Sequence, residues 1–143
     1  MEMSYRHSVS VAGVVYDERI DSFLVIERMD NGAWQLPGGV LEKDEDPRAG
    51  AIREVFEETG VDVEPLHLSG VYKNTEIGVI ALVFRCQIKN GTPRATAEAR
   101  SVRWMPRAEI ESSMPPAFAC RLLDTLGDAM PYVRSHDGIN LIG

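Results

Sequence analysis

Cysteine is nearly missing from this 143-residue chain. Cys86 and Cys120 stand far apart and form neither a CxxC clip nor a disulfide framework, so both are expected as reduced, buried thiols. Long apolar runs are missing too. The longest, Ile77 to Phe84, is well short of the roughly 18 residues that a membrane-spanning helix needs. The opening Met1 to Ser10 has no apolar run resembling a secretory signal, and neither end carries a lipidation pattern; a cytoplasmic location is expected by default. Positive charge is scarce: 15 Lys+Arg against 22 Asp+Glu leave a formal net charge of -7. That balance repels polyanions, which argues against a stable nucleic-acid partner or an anionic membrane and leaves small anions bound through cations. His7, His67 and His136 are scattered without ligand spacing, so a zinc site is disfavoured and the three are read as surface or packed side chains.

What is there suits a single domain over residues 1–143, with 44% hydrophobic and 26% charged residues and no repeat, low-complexity tract or linker. Val9 to Tyr16 is β-branched and apolar, Asp17 to Ser22 is a polar turn, and Phe23 to Ile26 follows, which together predict a hairpin. After a second turn, Met29 to Ala33, comes the short stretch Trp34-Gln35-Leu36 and then Pro37-Gly38-Gly39. Asp46 as N-cap, Pro47 at the first helical position and Gly60 as the stop bracket a helix whose core face would be Ile52, Val55, Phe56 and Thr59. Strands are expected at Val71 to Lys73, Ile77 to Ile88 and Val102 to Met105. A second helix is expected over Pro115 to Met130, with Phe118, Arg121, Leu122, Thr125 and Leu126 on a mixed face. Strands on both sides of a helix, with another helix late in the chain, predict an α/β protein with a mixed sheet covered by helices on both faces.

The negative charge is concentrated. Residues 42–64 carry nine acidic and three basic side chains. Within them Glu54, Glu57 and Glu58 lie at i, i+3 and i+4, sharing one helix face with Cβ atoms about 5–6 Å apart. Like charges this close destabilise a helix, so the arrangement makes sense if a divalent cation neutralises it, and hard oxygen ligands suit Mg2+ or Mn2+. An acidic helix taken alone is more simply a solvated face with Arg53 paired to Glu57. The longer pattern argues otherwise. Gly39, Glu45, Arg53-Glu54, Val55, Glu57-Glu58, Gly60 and Val61 fit G-x5-E-x7-R-E-U-x-E-E-x-G-U, with U a bulky aliphatic, at every defined position.

That pattern resembles the Nudix box. Trp34 to Gly39 looks like the strand entering the box, and Val102 to Pro106 like a late strand of the same family, so the likeness covers about residues 8 to 130. The resemblance implies the Nudix fold, an α/β/α sandwich around a mixed β-sheet. It also implies hydrolysis of a nucleoside diphosphate linked to another moiety with Mg2+ or Mn2+ as cofactor, and a small-molecule nucleotide as substrate; a homodimer is left open. Glu57 and Glu58 are the best candidate metal ligands, and Glu54 either joins them or orients the attacking water. Arg53 is expected to fix the Glu57 carboxylate from behind, and Glu45 to hold the loop by accepting backbone N–H bonds. Gly38 matches the position whose carbonyl completes the family's metal shell. Glu98 resembles a downstream acidic residue that supplies a further ligand or a base, with Glu76 a weaker competitor. Arg28 or Lys73 could assist the leaving phosphate, and Trp34 or Tyr72 could stack on a base, although lone aromatics more often belong to the core.

Substrate marks are missing. Where ADP-ribose hydrolases carry a proline, Glu76 and Ile77 stand, and the tyrosine of dinucleoside-polyphosphate hydrolases is replaced by Ile77, Gly78 and Val79. A nucleoside triphosphate or a small nucleotide sugar is the expected substrate. The rivals are a catalytically silent nucleotide-binding or regulatory module of the same fold and a protein whose acidic helix binds cations structurally. The intact pattern speaks against both.

Overall fold

The computed structural model describes residues 4–143, so the first three residues of the stretch read for a leader lie outside the described residues. Apolar β-branched segments build a mixed sheet. Its strands are β1 (Ser8–Asp17), β2 (Ser22–Arg28), β3 (Trp34–Gln35), β4 (Gly38–Val40), β5 (Asp62–Asn74), β6 (Val79–Asn90), β7 (Ala99–Pro106), β8 (Tyr132–His136) and β9 (Leu141–Ile142). The helices are α1 (Pro47–Thr59), α2 (Arg107–Ser113) and α3 (Pro116–Leu123), the last running into a 3-10 turn, Asp124–Leu126. The sheet order is β3-β2-β1-β6-β5-β8-β9, with β4 paired to β1 and β7 to β2. β1 runs parallel to β6, and β5 parallel to β8, while β5 and β6 are antiparallel.

Alternation along β1 explains the two covered faces. Val11 and Val15 join Ala51 and Val55 of α1 in one core cluster, while Ala12 and Val14 join Ile110, Ala119 and Leu122 of α2 and α3 in the other. The result is a sheet with helices on both sides. Gly13 sits between Val11 and Val15, and a Cβ there would come within 2.6 Å of Val55 Cγ2, so the missing side chain lets α1 lie close to the sheet.

The hairpin at the start is real but opens at once. β1 and β2 pair only at Tyr16 with Phe23 and Asp17 with Ser22, because β1 turns to β4 and β6 while β2 turns to β7. β5 is far longer than Val71 to Lys73. The expected helix over Pro115 to Met130 ends at Leu123 and its 3-10 turn, α2 precedes it unannounced, and β8 and β9 follow. On α1 the core stripe is Ala51, Val55 and Thr59; Phe56, expected inside, is 49% exposed. Both cysteines are free thiols, Cys86 buried and Cys120 half-buried, and burial pushes them up to about 12 and about 11 respectively. Among the described residues no helix is long and apolar enough to cross a membrane.

Candidate active site

The box helix begins where its cap predicts: the Asp46 carboxylate accepts the backbone N–H groups of Arg48 at 3.0 Å and Ala49 at 3.3 Å, and Pro47 occupies the first turn. It stops at Gly60, whose φ of 76° is the left-handed conformation that glycine adopts without strain. Because α1 is fixed to the sheet through Ala51, Val55 and Thr59, its next side chain toward the sheet edge, Glu58, is carried into a nearly closed position, 9% exposed. There Glu58 Oε1 accepts the Gly38 N–H at 2.7 Å, tying helix to glycine loop. Burial pushes the Glu58 carboxyl up to about 7, with the negative charges of Glu54 and Glu98 adding to it, and the Gly38 N–H and Arg28 acting the other way.

Arg53 organises the remaining carboxylates. Its Nε and Nη2 donate to the two oxygens of Glu45 at 2.6 and 2.9 Å, Nη1 donates to Glu54 at 2.8 Å, and Nη2 also reaches the Val40 carbonyl at 3.2 Å. Its contact to Glu57 is the longest of the set, 3.4 Å. The expected Arg53–Glu57 pair is therefore the minor one. The planar fork matches the Glu45 carboxylate bidentately, and locking Glu45 fixes the loop that precedes the helix. Glu45 also accepts the Glu42 N–H at 3.2 Å, and its carboxyl is held below the usual range chiefly by Arg53. Glu54 is raised, burial outweighing the opposing pull of Arg53. Gly39 is small for a reason visible here: a Cβ would fall 2.5 Å from Glu54 Oε1.

A cavity of about 320 Å³ opens beside this helix, lined by Arg28, Gln35, Gly38, Gly39, Glu58 and Glu98 among others. Glu98 and Arg28 therefore face the same space as Glu58. Arg28 is bidentate to Asp30, at 2.8 and 2.5 Å. Glu57 is exposed and does not line this cavity. Three of the expected substrate-binding residues, Tyr72, Lys73 and Trp34, lie away from this cavity. Tyr72 is completely buried in the core cluster of Ile110, Ala119 and Leu122 and its hydroxyl donates to Asp124 at 2.8 Å, which leaves no ring face for a base. Lys73, its neighbour, consequently points to the other face and lines a separate cavity with Tyr5, His7 and Glu76. Trp34 packs against the α3-side core under the Arg103 guanidinium, 5.6 Å from its ring centre, and lines neither cavity beside Gly38 and Gly39. The sequence reading did not single out Asn74, Gln35 or Arg121 as site residues. A charged residue on the apolar face of α3 was the available signal for Arg121.

Among the described residues no three His, Cys, Asp or Glu side chains converge as a preformed metal cage. The cavity presents the carboxylates of Glu58 and Glu98, Glu54 and Glu57 stand on the same helix without lining it, and the buried Glu58 is pressed by the like charges of Glu54 and Glu98. Hard oxygen donors with surplus negative charge fit Mg2+ or Mn2+ and do not fit zinc.

The NUDIX domain model matches residues 6–122. A MutT-like protein of Streptomyces ambofaciens is 54% identical over 136 residues, 95% of this chain and 88% of that protein. A MutT protein from Methanosarcina mazei superposes with a TM-score of 0.71 at 28% identity, covering 85% of this chain and 94% of that one. A NUDIX hydrolase from Nitrosomonas europaea shares the fold, with a TM-score of 0.72 at 22% identity over 93% of this chain and 82% of its own. With the helix, its cap, the glycine loop and the carboxylate set all standing on that matched span, the chain belongs to the Nudix family of hydrolases.

Proposed function

We propose that this Nudix hydrolase is a pyrophosphohydrolase dependent on Mg2+ or Mn2+, cleaving a nucleoside diphosphate linked to another moiety. A nucleoside triphosphate or a small nucleotide sugar is the substrate class. The observation that carries the reading is the placement of Glu58 and Glu98 on one cavity with Gly38 and Arg28, backed by Glu54 and Glu57 on the same helix. When bound, a divalent cation supplies neutralisation of the phosphoanhydride oxygens and acidifies a nearby water. The chain's residues do the rest. Glu54, Glu57, Glu58 and Glu98 give the oxygen donors, Arg53 holds Glu54 and the Glu45 loop in register, and the Gly38 N–H fixes the Glu58 carboxylate. Arg28, at the cavity wall, is placed to leave Asp30 and receive a phosphate oxygen as charge builds on the leaving group. Water attacks phosphorus as the bridging P–O bond breaks, and its proton passes to a carboxylate of the set. The strongly negative chain favours a small nucleotide over a nucleic acid.

The test is a panel of nucleoside triphosphates and nucleotide sugars incubated with Mg2+ or Mn2+, with products resolved by chromatography. Release of a nucleoside phosphate from at least one member is expected. Tight binding without turnover of any member would mean a silent nucleotide-binding module instead.

A further inference from the structure

A second cavity, of about 240 Å³, adjoins the carboxylate cavity and shares Arg28, Gln35, Gly38 and Gly39 with it. It is lined as well by Arg121 and Phe118 of α3, Asn74 at the end of β5, and Leu36. Arg121 is 8% exposed. Among the described residues no carboxylate forms an ion pair with it, and its Nε has no hydrogen-bond partner. The nearby carboxylate of Asp124 is already taken bidentately by Arg134, at 2.8 Å on both oxygens, and by the Tyr72 hydroxyl. The rings of Phe118 and Tyr72 lie 4.7 and 5.2 Å from the Arg121 guanidinium carbon. Such contacts stabilise the charge through its face and leave the in-plane N–H groups without acceptors.

His136 does not solve the problem. Its Nδ1 lies 3.0 Å from the Gly138 N–H, a donor that asks for a lone pair there. Burial and the charge of Arg121 both favour the neutral ring. Nε2 lies 3.0 Å from Arg121 Nη2, so both ring nitrogens face donors and a neutral ring, with one acceptor nitrogen, can satisfy only one of them. Asn74 adds to the excess: its amide oxygen accepts the Glu76 N–H at 3.0 Å, leaving its NH2 to offer. A largely apolar cavity that presents the unmatched N–H groups of Arg121 and the Asn74 amide is complementary to a flat group whose edge carries an oxygen.

We propose that this cavity takes the nucleobase and that Arg121 is the specificity-determining residue, selecting bases with an oxo group at the recognised edge, 6-oxopurines and 4-oxopyrimidines, over their amino counterparts. The inference rests on the proposed nucleotide hydrolysis, since the phosphates must occupy the adjoining cavity for the base to reach this one. Guanine and hypoxanthine present adjacent O6 and N7 acceptors that match the guanidinium fork, and uracil presents O4. Adenine and cytosine present an amine there, a further donor facing donors. Adenine keeps N7 as an acceptor but turns its amine on the second donor, so the fork is matched at one position instead of two.

Nucleoside monophosphates test this cleanly, because they contain no phosphoanhydride and cannot be turned over. IMP and AMP differ at position 6, and UMP and CMP at position 4. Calorimetric titration of the full chain is expected to give at least tenfold tighter binding for IMP than AMP and for UMP than CMP. Arg121→Met, shown folded by circular dichroism, is expected to bring each pair within about twofold by weakening the oxo member. Arg121→Lys keeps the charge without the fork and is expected to lose most of the preference for IMP, and it serves if the methionine variant does not fold. Equal binding within both pairs by the wild type, or an undiminished preference in either folded variant, would overturn the proposal. Selective binding of IMP and UMP by a chain that hydrolyses no nucleotide would leave Arg121 in its role and remove the hydrolytic one.

Discussion

Gly39→Ala separates the geometry of the site from the stability of the fold. Gly39 lies in β4 and its backbone is one that alanine adopts, so the nearest obstacle to the added methyl is Glu54, whose Oε1, Cδ and Oε2 would lie 2.5, 2.6 and 2.7 Å from it. These are the far end of a flexible side chain. Relief requires the carboxylate to swing away by about 1 Å, breaking its 2.8 Å bond to Arg53, at a cost of about 0.5–1.5 kcal/mol for an off-rotamer torsion. A displacement of that size in a group of the catalytic set costs about 10²-fold in rate. The expected result is a folded variant with a melting temperature within a few degrees of wild type and kcat lowered about a hundredfold on the nucleotide that the wild type hydrolyses. Gly13→Ala is the control. Its methyl would meet Val55 Cγ2 at 2.6 Å and Cys86 Sγ at 3.1 Å in the packed core, far from the cavity. Overpacking there should cost about 1–3 kcal/mol of stability while the surviving folded protein keeps its kcat. A Gly39→Ala enzyme with kcat within threefold of wild type would refute the idea that the position of Glu54 matters.

Glu98→Gln is expected to lower kcat while Glu76→Gln leaves it unchanged, since Glu98 faces the cavity of Glu58 and Glu76 lines a separate one; steady-state kinetics with the pattern reversed would contradict this. Without nucleotide, millimolar Mg2+ or Mn2+ should raise the melting temperature of the wild type and do so less for Glu58→Gln, because a cation that binds only the folded carboxylate set stabilises it by mass action; equal shifts in both would count against the site. His136 is held neutral by burial and by Arg121, its pKa below the ordinary 6.5. The unfolded chain then binds the extra proton, so this contribution is intact above pH 6.5 and is lost as pH falls below it. His136→Asn should accordingly narrow the difference in melting temperature between pH 7.5 and pH 5.5, and an unchanged difference would show that His136 is not its source.

Local signals were readable and long-range ones were not. The cap at Asp46, the proline after it and the stop at Gly60 marked α1 to the residue, because each acts within one turn of its own position. Of the expected face of that helix, Val55 and Thr59 are buried and Ile52 packs against the core, while Phe56 alone is outside. Gly13, Gly50 and Ala51 let the backbone approach the sheet on the other side, leaving Phe56 outside. β5 was seen only at its apolar end, since Asp62 to Leu68 is polar, contains Pro65 and slips register against β6. α2 is seven residues long and starts after Pro106 with no capping side chain. The carboxylates were legible as a helical spacing, whereas the partners that set their behaviour, the Gly38 N–H for Glu58 and Glu45 for Arg53, are fixed by the fold of the intervening loop. Tyr72 meets Asp124 52 positions away, and no sequence pattern announces that contact.

The central claim is that the carboxylate set of α1 works through a divalent cation to hydrolyse a nucleotide. Its most direct test is turnover by chelator-treated enzyme titrated with Mg2+ or Mn2+, the wild type and Glu58→Gln side by side. No turnover is expected without the cation, and a saturable return with it. For Glu58→Gln kcat is expected to be at least about a hundredfold lower at the same cation concentrations. Full activity in the presence of chelator, or a folded Glu58→Gln enzyme as active as wild type, would contradict the claim.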